Sequence, residues 1–299
     1  MAVATTLLLA ALAAAGCGLG PGADVGAVEL TVTREFGTVP VLERSVQASE
    51  SSTVMRVLEG NADISTREGG AFVQAIDGTA EAHRGGDPYD WFFYVDGVES
   101  PVGAAAYTLK GGERIWWDYR DWAATNHVPA VVGSWPAPFA SGYEGKAHPV
   151  VVECEGGGGA CATARAALRK EGVAVASGSP SGAIRVLVGP WSRLRSDPAA
   201  ALIEAGPAES GVFADFAQRG GVDQLQGLDP DGKVAVSFGS GAGLVAATRH
   251  YEGPPIWIVT GATAAAVQAA AGLLNGRDLR DHYAVATVAG KETPLPVMP

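Results

Sequence analysis

The sequence predicts an α+β protein in two parts: a small module with one helix on a curved sheet, then a layered α/β domain. Three observations carry this. Residues 28–122 run strand, strand, short helix and strand, and end in two strands dense with aromatic residues. From residue 149 the rhythm changes to apolar strands alternating with Ala-rich helical stretches. Between them, 123–148 has little periodicity and is punctuated by Pro129, Pro136 and Pro138. A chain of 299 residues with 47% hydrophobic and 18% charged residues has the length for two domains and the composition of a globular core.

Residues 1–17 read as an export signal. The apolar run 3–15 (VATTLLLAALAAA) is shorter than the roughly 20 residues a membrane span needs and has the length of a signal-peptide core. Cys17 directly after Ala14, Ala15 and Gly16 is similar to the bacterial lipobox, whose cysteine takes a diacylglycerol and becomes the new N-terminus. Two features depart from that pattern: Ala14 stands where Leu is usual, and residues 1–6 contain no Lys or Arg. The alternative is a buried N-terminal helix. Residues 18–27, small and Gly-rich, suit a flexible tether. The resulting expectation is an extracytoplasmic protein held at the cell membrane by lipid on Cys17.

The elements of 28–122 follow from pattern. Residues 28–36 (VELTVTREF) alternate as a strand, and 39–47 read as a second. Val54, Val57 and Leu58 share a helical face, with Ser52 as the expected N-cap and Gly60 and Asn61 as the stop. A strand is expected at 71–77 and an exposed loop at 78–90. WFFYV at 91–95 and ERIWWDYR at 113–120 are strands, the first closed by an Asp96–Gly97 turn. Alternation places Trp91, Phe93 and Val95 opposite Phe92 and Tyr94, and Ile115, Trp117 and Tyr119 opposite Trp116 and Asp118. One face is core. The other exposes large rings to a ligand or partner, unless the connector, through its apolar part 128–139, covers them.

In 149–299, PVVVEC, IRVLVG, KVAVSF and PIWIVTG read as buried strands, with HYAVATVA as a last one. CATARAALRKEG, PAAALIEAG, GLVAATRH and ATAAAVQAAAGLL read as helices. Cys154 and Cys161 flank EGGGGA, a spacing that lets two Cα atoms approach disulfide distance in an oxidising compartment. Two free thiols or a metal pair are the alternatives, and no His stands nearby to complete a zinc set.

The residues of 28–122 carry a resemblance. Thr53, Val54 and Met55 head a short helix, followed by FVQAIDG, then Trp91, Phe92, Phe93 and Tyr94. The run Gly103-Ala104-Ala105-Ala106-Tyr107-Thr108-Leu109-Lys110-Gly111-Gly112-Glu113 comes next, and an aromatic strand ends at Trp122. This order resembles the C-terminal domain of transcobalamin and intrinsic factor, and the bacterial surface modules grouped with it in the soluble-ligand-binding β-grasp superfamily. The resemblance covers about a third of the chain. It implies a β-grasp fold for 28–122 and a corrinoid as ligand. The positions it implies as ligand-binding are Phe93, Tyr94, Val102, Gly103, Ala104, Ala105, Trp117 and Tyr119. The helical-barrel domain that grips the other face of cobalamin in transcobalamins has no counterpart here.

Catalytic signals are sparse. The five histidines are scattered, with no H-E-x-x-H. Ser240 in FGSGAG lacks the Gly at 238 that a nucleophile elbow requires, and the same glycines either seat a phosphate at a helix N-terminus or make a tight turn. A formal charge of −11 argues against nucleic acid, whose binding is dominated by Lys and Arg. The expectation is a non-catalytic, cofactor-free binder that presents a small flat ligand to a membrane uptake system. The alternative is a surface module docking a protein or glycan.

Overall fold

The structure, a computed structural model, describes residues 22–80, 82–84, 86–156 and 158–299, and its architecture is mixed α+β with several sheets. The first sheet is built on the hairpin Asp24–Arg34 and Val39–Ser49. Asp24–Arg34 also pairs in parallel with Arg114–Asp121, from Glu29 opposite Arg114 to Arg34 opposite Tyr119. Arg114–Asp121 pairs on its far side, antiparallel, with Asp87–Val95. The outer edge of Asp87–Val95 meets two short strands, Ala82–Arg84 and Val98–Glu99, at opposite ends.

Helix Val54–Glu59 lies on one face of this sheet. Val54, Val57 and Leu58 are buried with Val28, Leu30, Ile115 and Trp117, each side chain contributing about 1.5–3 kcal/mol of apolar burial. The N-cap is Thr53 rather than Ser52: Thr53 Oγ1 accepts the Arg56 N–H at 3.2 Å, while Ser52 Oγ accepts the Ser49 N–H. The expected loop 78–90 is largely extended. It holds Thr79–Ala80, Ala82–Arg84 and the start of Asp87–Val95, while Thr79–Ala80 joins Ile64–Arg67 and Phe72–Ile76 in a small sheet.

The second large sheet has the order Val150–Cys154, Ile184–Pro190, Ile256–Gly261, Gly243–Thr248, Ala284–Val288, Lys291–Leu295. Its first three strands are parallel and the rest antiparallel. Gly243–Thr248 is a central strand, contrary to the helix expected for GLVAATRH. Leu244, Ala246 and Ala247 have good helix propensity, but pairing on both sides and burial of all six positions decide otherwise. Helices Gly158–Lys170 and Ala264–Gly272 cover one face. The second packs so closely that a Cβ on Gly243 would sit 2.3 Å from the Ala266 carbonyl oxygen. KVAVSF is not in this sheet. Val234–Gly239 joins Ala214–Arg219 and Val222–Leu228, a hairpin turning at Gly220 and Gly221 that the pattern reading passed over. FGSGAG therefore turns between two strands, and no helix N-terminus stands there to seat a phosphate. Cys154 and Cys161 form a disulfide with Cα atoms 6.0 Å apart, tying the edge strand to the first helix turn. Among the described residues no helix is long and apolar enough to cross a membrane. Cys17 lies outside the described residues.

The two large sheets share a core. The predicted alternation holds: Trp91, Val95, Ile115, Trp117 and Tyr119 pack toward the helix, whereas Tyr94 and Trp116 turn the other way. That second face is not open. The connector lays Val128 and Val131 on it, and Phe36, Tyr283, Leu244 and Ala246 complete the layer. Asp118, fully buried, accepts hydrogen bonds from Thr33 Oγ1 (2.6 Å), the Gly37 N–H (3.1 Å) and Tyr283 Oη (3.0 Å). Arg114 pairs with Asp281 and donates to the Gly133 carbonyl at 2.8 Å, bolting connector and second sheet to the first.

Burial pushes the Asp118 carboxyl up to about 6 and the Asp96 carboxyl up to about 7, from an ordinary 3.8. Both hold protons in the fold at pH values where the unfolded chain has released them. Their contribution to stability is therefore full below the ordinary value and is lost as pH rises through 6 to 7. Asp96 accepts from the Arg114 N–H and Ser141 Oγ at a left-handed turn position, φ 52°, where Asn is well tolerated. Asp96→Asn is expected to gain on the wild type in thermal midpoint as pH is raised from 5 to 8; parallel pH profiles would refute the assignment.

Candidate functional site

The segment from residue 99 to 113 builds a wall by satisfying the helix beside it. An α-helix begins with four N–H groups that have no partner within it. Here the Val54 N–H donates to the Tyr107 carbonyl at 3.2 Å and the Met55 N–H to the Ala104 carbonyl at 3.0 Å. Tyr107 Oη donates to Glu113 Oε1 at 3.0 Å, and Glu113 Oε2 takes the Lys110 N–H at 2.6 Å. Leu109 is sealed in the core below, and Gly111 passes so near the first strand that a Cβ would lie 1.8 Å from the Val25 carbonyl oxygen. The spacing of Gly103, Tyr107, Leu109, Gly111 and Glu113 is thus the spacing of one cross-braced loop. Burial raises the Glu113 carboxyl, and the Lys110 N–H and Tyr107 hydroxyl oppose that rise.

Behind this loop lies a cavity of about 580 Å³. Its walls are Ala71 to Val73 and Gly103 to Ala106 on one side, and Asp90 to Phe93 with Trp117 on the other; Glu99 and Ser100 close one end. The volume falls in the range of roughly 300–1,000 Å³ common for small-ligand sites. The Phe93 and Trp117 rings lie 4.9 Å apart, tilted by 30°. Phe72 stands at the rim, 53% exposed. Trp117 is buried, and its indole N–H has no hydrogen-bond partner among the described residues.

Of the positions expected from the sequence, Phe93, Gly103, Ala104, Ala105 and Trp117 line this cavity. Tyr94 does not: alternation turns it to the opposite face, where its hydroxyl meets that of Tyr283 at 3.4 Å. Tyr119 is sealed beneath Tyr89 and Trp91 and donates to the Ala80 carbonyl at 2.7 Å. Val102 points to a separate depression shared with Lys110, Glu144 and Lys146. Phe72, Trp91 and Ser100 were not anticipated; the one available signal was the large ring opening the FVQAI strand.

The whole cavity falls inside one recognisable stretch. Residues 51–121 match a family described as a domain of unknown function, DUF4430. No curated protein matches the chain. The DUF4430 stretch takes in the helix, the braced loop and every cavity wall, and it leaves out the first hairpin and all of the second large sheet.

Two other polar groupings lie nearby. A second cavity of about 580 Å³ shares Glu99 and Ser100 and is bounded by His127, Pro129 and residues 249–252. In it Glu99 pairs with His127 at 2.5 Å and raises the imidazole pKa. Asp87, Asp121 and Asp231 bring carboxylate oxygens within 4.8 Å of one another, with Lys233 on Asp231 at 2.7 Å and the Ala123 N–H on Asp121.

Tyr107→Phe is expected to cost about 1–3 kcal/mol, because it leaves the buried Glu113 oxygen short of a donor. Urea denaturation measures it, and a loss below a few tenths would show that the brace is not what holds the loop.

Proposed function

We propose that this protein is a non-catalytic, lipid-anchored extracytoplasmic receptor that captures a small, largely apolar ligand in the cavity beside Phe93 and Trp117. In this reading residues 28–122 form a β-grasp capture domain, 123–148 a wrap, and 149–299 a rigid α/β platform, with loaded protein presented to an uptake system in the membrane. The observation that carries it is the cavity itself, walled by aromatic rings and small alanines on a braced loop. The signal-like segment ending at Cys17 supports export, and the Cys154–Cys161 disulfide suits an oxidising compartment.

The resemblance to the transcobalamin domain makes a corrinoid the first ligand to test. Tyr94 and Trp116 lie under the connector and Tyr283, so a flat ligand cannot lie on that face and must enter the cavity beside Phe93 and Trp117.

Titration with an apolar fluorescent dye, followed by competition with cobalamin and cobinamide, tests the reading. Dye binding is expected in the wild type. It is expected to fall at least tenfold in Ala105→Trp, where an indole on an exposed wall position fills the space. Equal dye binding by wild type and variant would remove the cavity as the ligand site.

A further inference from the structure

The cavity coincides with a break in the edge of the first sheet. Asp87–Val95 pairs with Ala82–Arg84 through Asp87 to Tyr89, and with Val98–Glu99 through Tyr94 and Val95. Residues 90–93 between them have no strand on that side among the described residues. The hydrogen-bond phase of the inner pairing is set by Trp122 N–H to the Pro88 carbonyl (3.0 Å) and Asp96 N–H to the Arg114 carbonyl (2.9 Å), with an unbroken register between. In an antiparallel ladder these bonds alternate. Even-numbered residues therefore bond inward to Arg114–Asp121, and Trp91 and Phe93 direct their main-chain groups outward, along the cavity. The outward Trp91 N–H is closed off by the Asp90 carboxylate at 2.8 Å. Among the described residues, the Trp91 carbonyl and both main-chain groups of Phe93 have no such partner.

We propose that the ligand is a short extended peptide that completes this edge, pairing its main chain with Phe93 and the Trp91 carbonyl. The inference rests on the reading of the cavity as the ligand site and names the class of ligand. An unpaired strand edge offers main-chain hydrogen bonds, and alternate side chains of an added strand fall into pockets beside it. Here that pocket lies among Phe72, Phe93, Ala104 and Trp117, which suits an aromatic or branched apolar side chain. The slot is closed at both ends by the flanking strands. Four residues at about 3.3 Å each leave roughly 13 Å, the length of a tri- or tetrapeptide rather than a long segment of a partner protein. Asp90 pairs with Arg67 and Glu99 with His127, so neither offers an unpaired carboxylate to the slot, and an uncharged peptide suits it.

The test uses the protein unaltered and changes the probe. A tetrapeptide alternating alanine and phenylalanine is titrated by calorimetry against the same peptide N-methylated, in turn, at each internal amide. Saturable binding is expected, with methylation at an amide facing Phe93 or Trp91 weakening it roughly tenfold or more, as the loss of a main-chain hydrogen bond requires. The Phe93 amide is expected to exchange with deuterium at least tenfold more slowly in the complex. Methylated peptides that bind as tightly, or unchanged exchange at Phe93 in the saturated complex, would overturn the inference. Dye competition separates the two readings. If the dye binds in an Ala105→Trp-sensitive way but the peptide does not displace it, the cavity stands and strand pairing falls. Cobinamide displacing the dye where peptide fails assigns the cavity to a corrinoid instead. Concentration-dependent self-association that protects Phe93 without peptide assigns the edge to a second copy. Absence of both dye and peptide binding removes both readings together.

Discussion

Burial of the Tyr94 and Trp116 side of the first sheet against the second half of the chain is the constraint on which the other features depend. A sheet with bulky rings on both faces has to cover both or leave one as a binding or aggregation surface. Here the helix Val54–Glu59 covers one, while the connector and Tyr283 cover the other. The second covering comes with a buried carboxylate, and a buried charge is tolerable only when its hydrogen bonds are met. Asp118 meets them with donors from the first hairpin and from Tyr283, so the polar group that endangers the seam also sets its register.

With the Tyr94 face closed and much of the other under the helix, the first sheet can meet another molecule only at its edges and in the cavity beside Phe93 and Trp117. One edge, Val39–Ser49, is long and largely polar outward, with Glu43 and Arg44 near its middle. Charges of this kind discourage pairing with other chains. The opposite edge is interrupted, and the interruption is lined with apolar side chains. Function therefore gathers where the sheet is incomplete, and the cavity follows from how the faces were closed.

The braced loop makes that incompleteness durable. A cavity beside an unsupported loop would collapse, since empty apolar space is costly. Ala104 and Tyr107 give their carbonyls to the helix N-terminus, and Glu113 holds both the Tyr107 hydroxyl and the Lys110 N–H. Four consecutive small residues at 103–106 then keep the wall thin, so the space remains for a ligand. The second large sheet takes no part in this wall. The turn leading into its strand Ala284–Val288 fixes the seam through Asp281 and Tyr283, and its own disulfide secures its far edge.

Local pattern alone determined a good deal. Period-two alternation separated the Trp91, Val95 and Trp117 face from the Tyr94 and Trp116 face, and three apolar positions located the helix at Val54. Both are properties of neighbouring residues, fixed by the geometry of strand and helix. The run from Gly103 to Glu113, which walls the cavity, was marked instead by the resemblance to the transcobalamin domain. What covers each face was decided only by tertiary structure, because Asp118 and Tyr283 stand 165 residues apart and their bond leaves no local trace. The same reason hid the strand at Gly243–Thr248, whose leucine and two alanines favour a helix until two partner strands claim them. It also hid the open edge at Asp90 to Phe93: a gap in a sheet is set by where the flanking strands happen to pair, which is a relation between segments and not a property of any one of them.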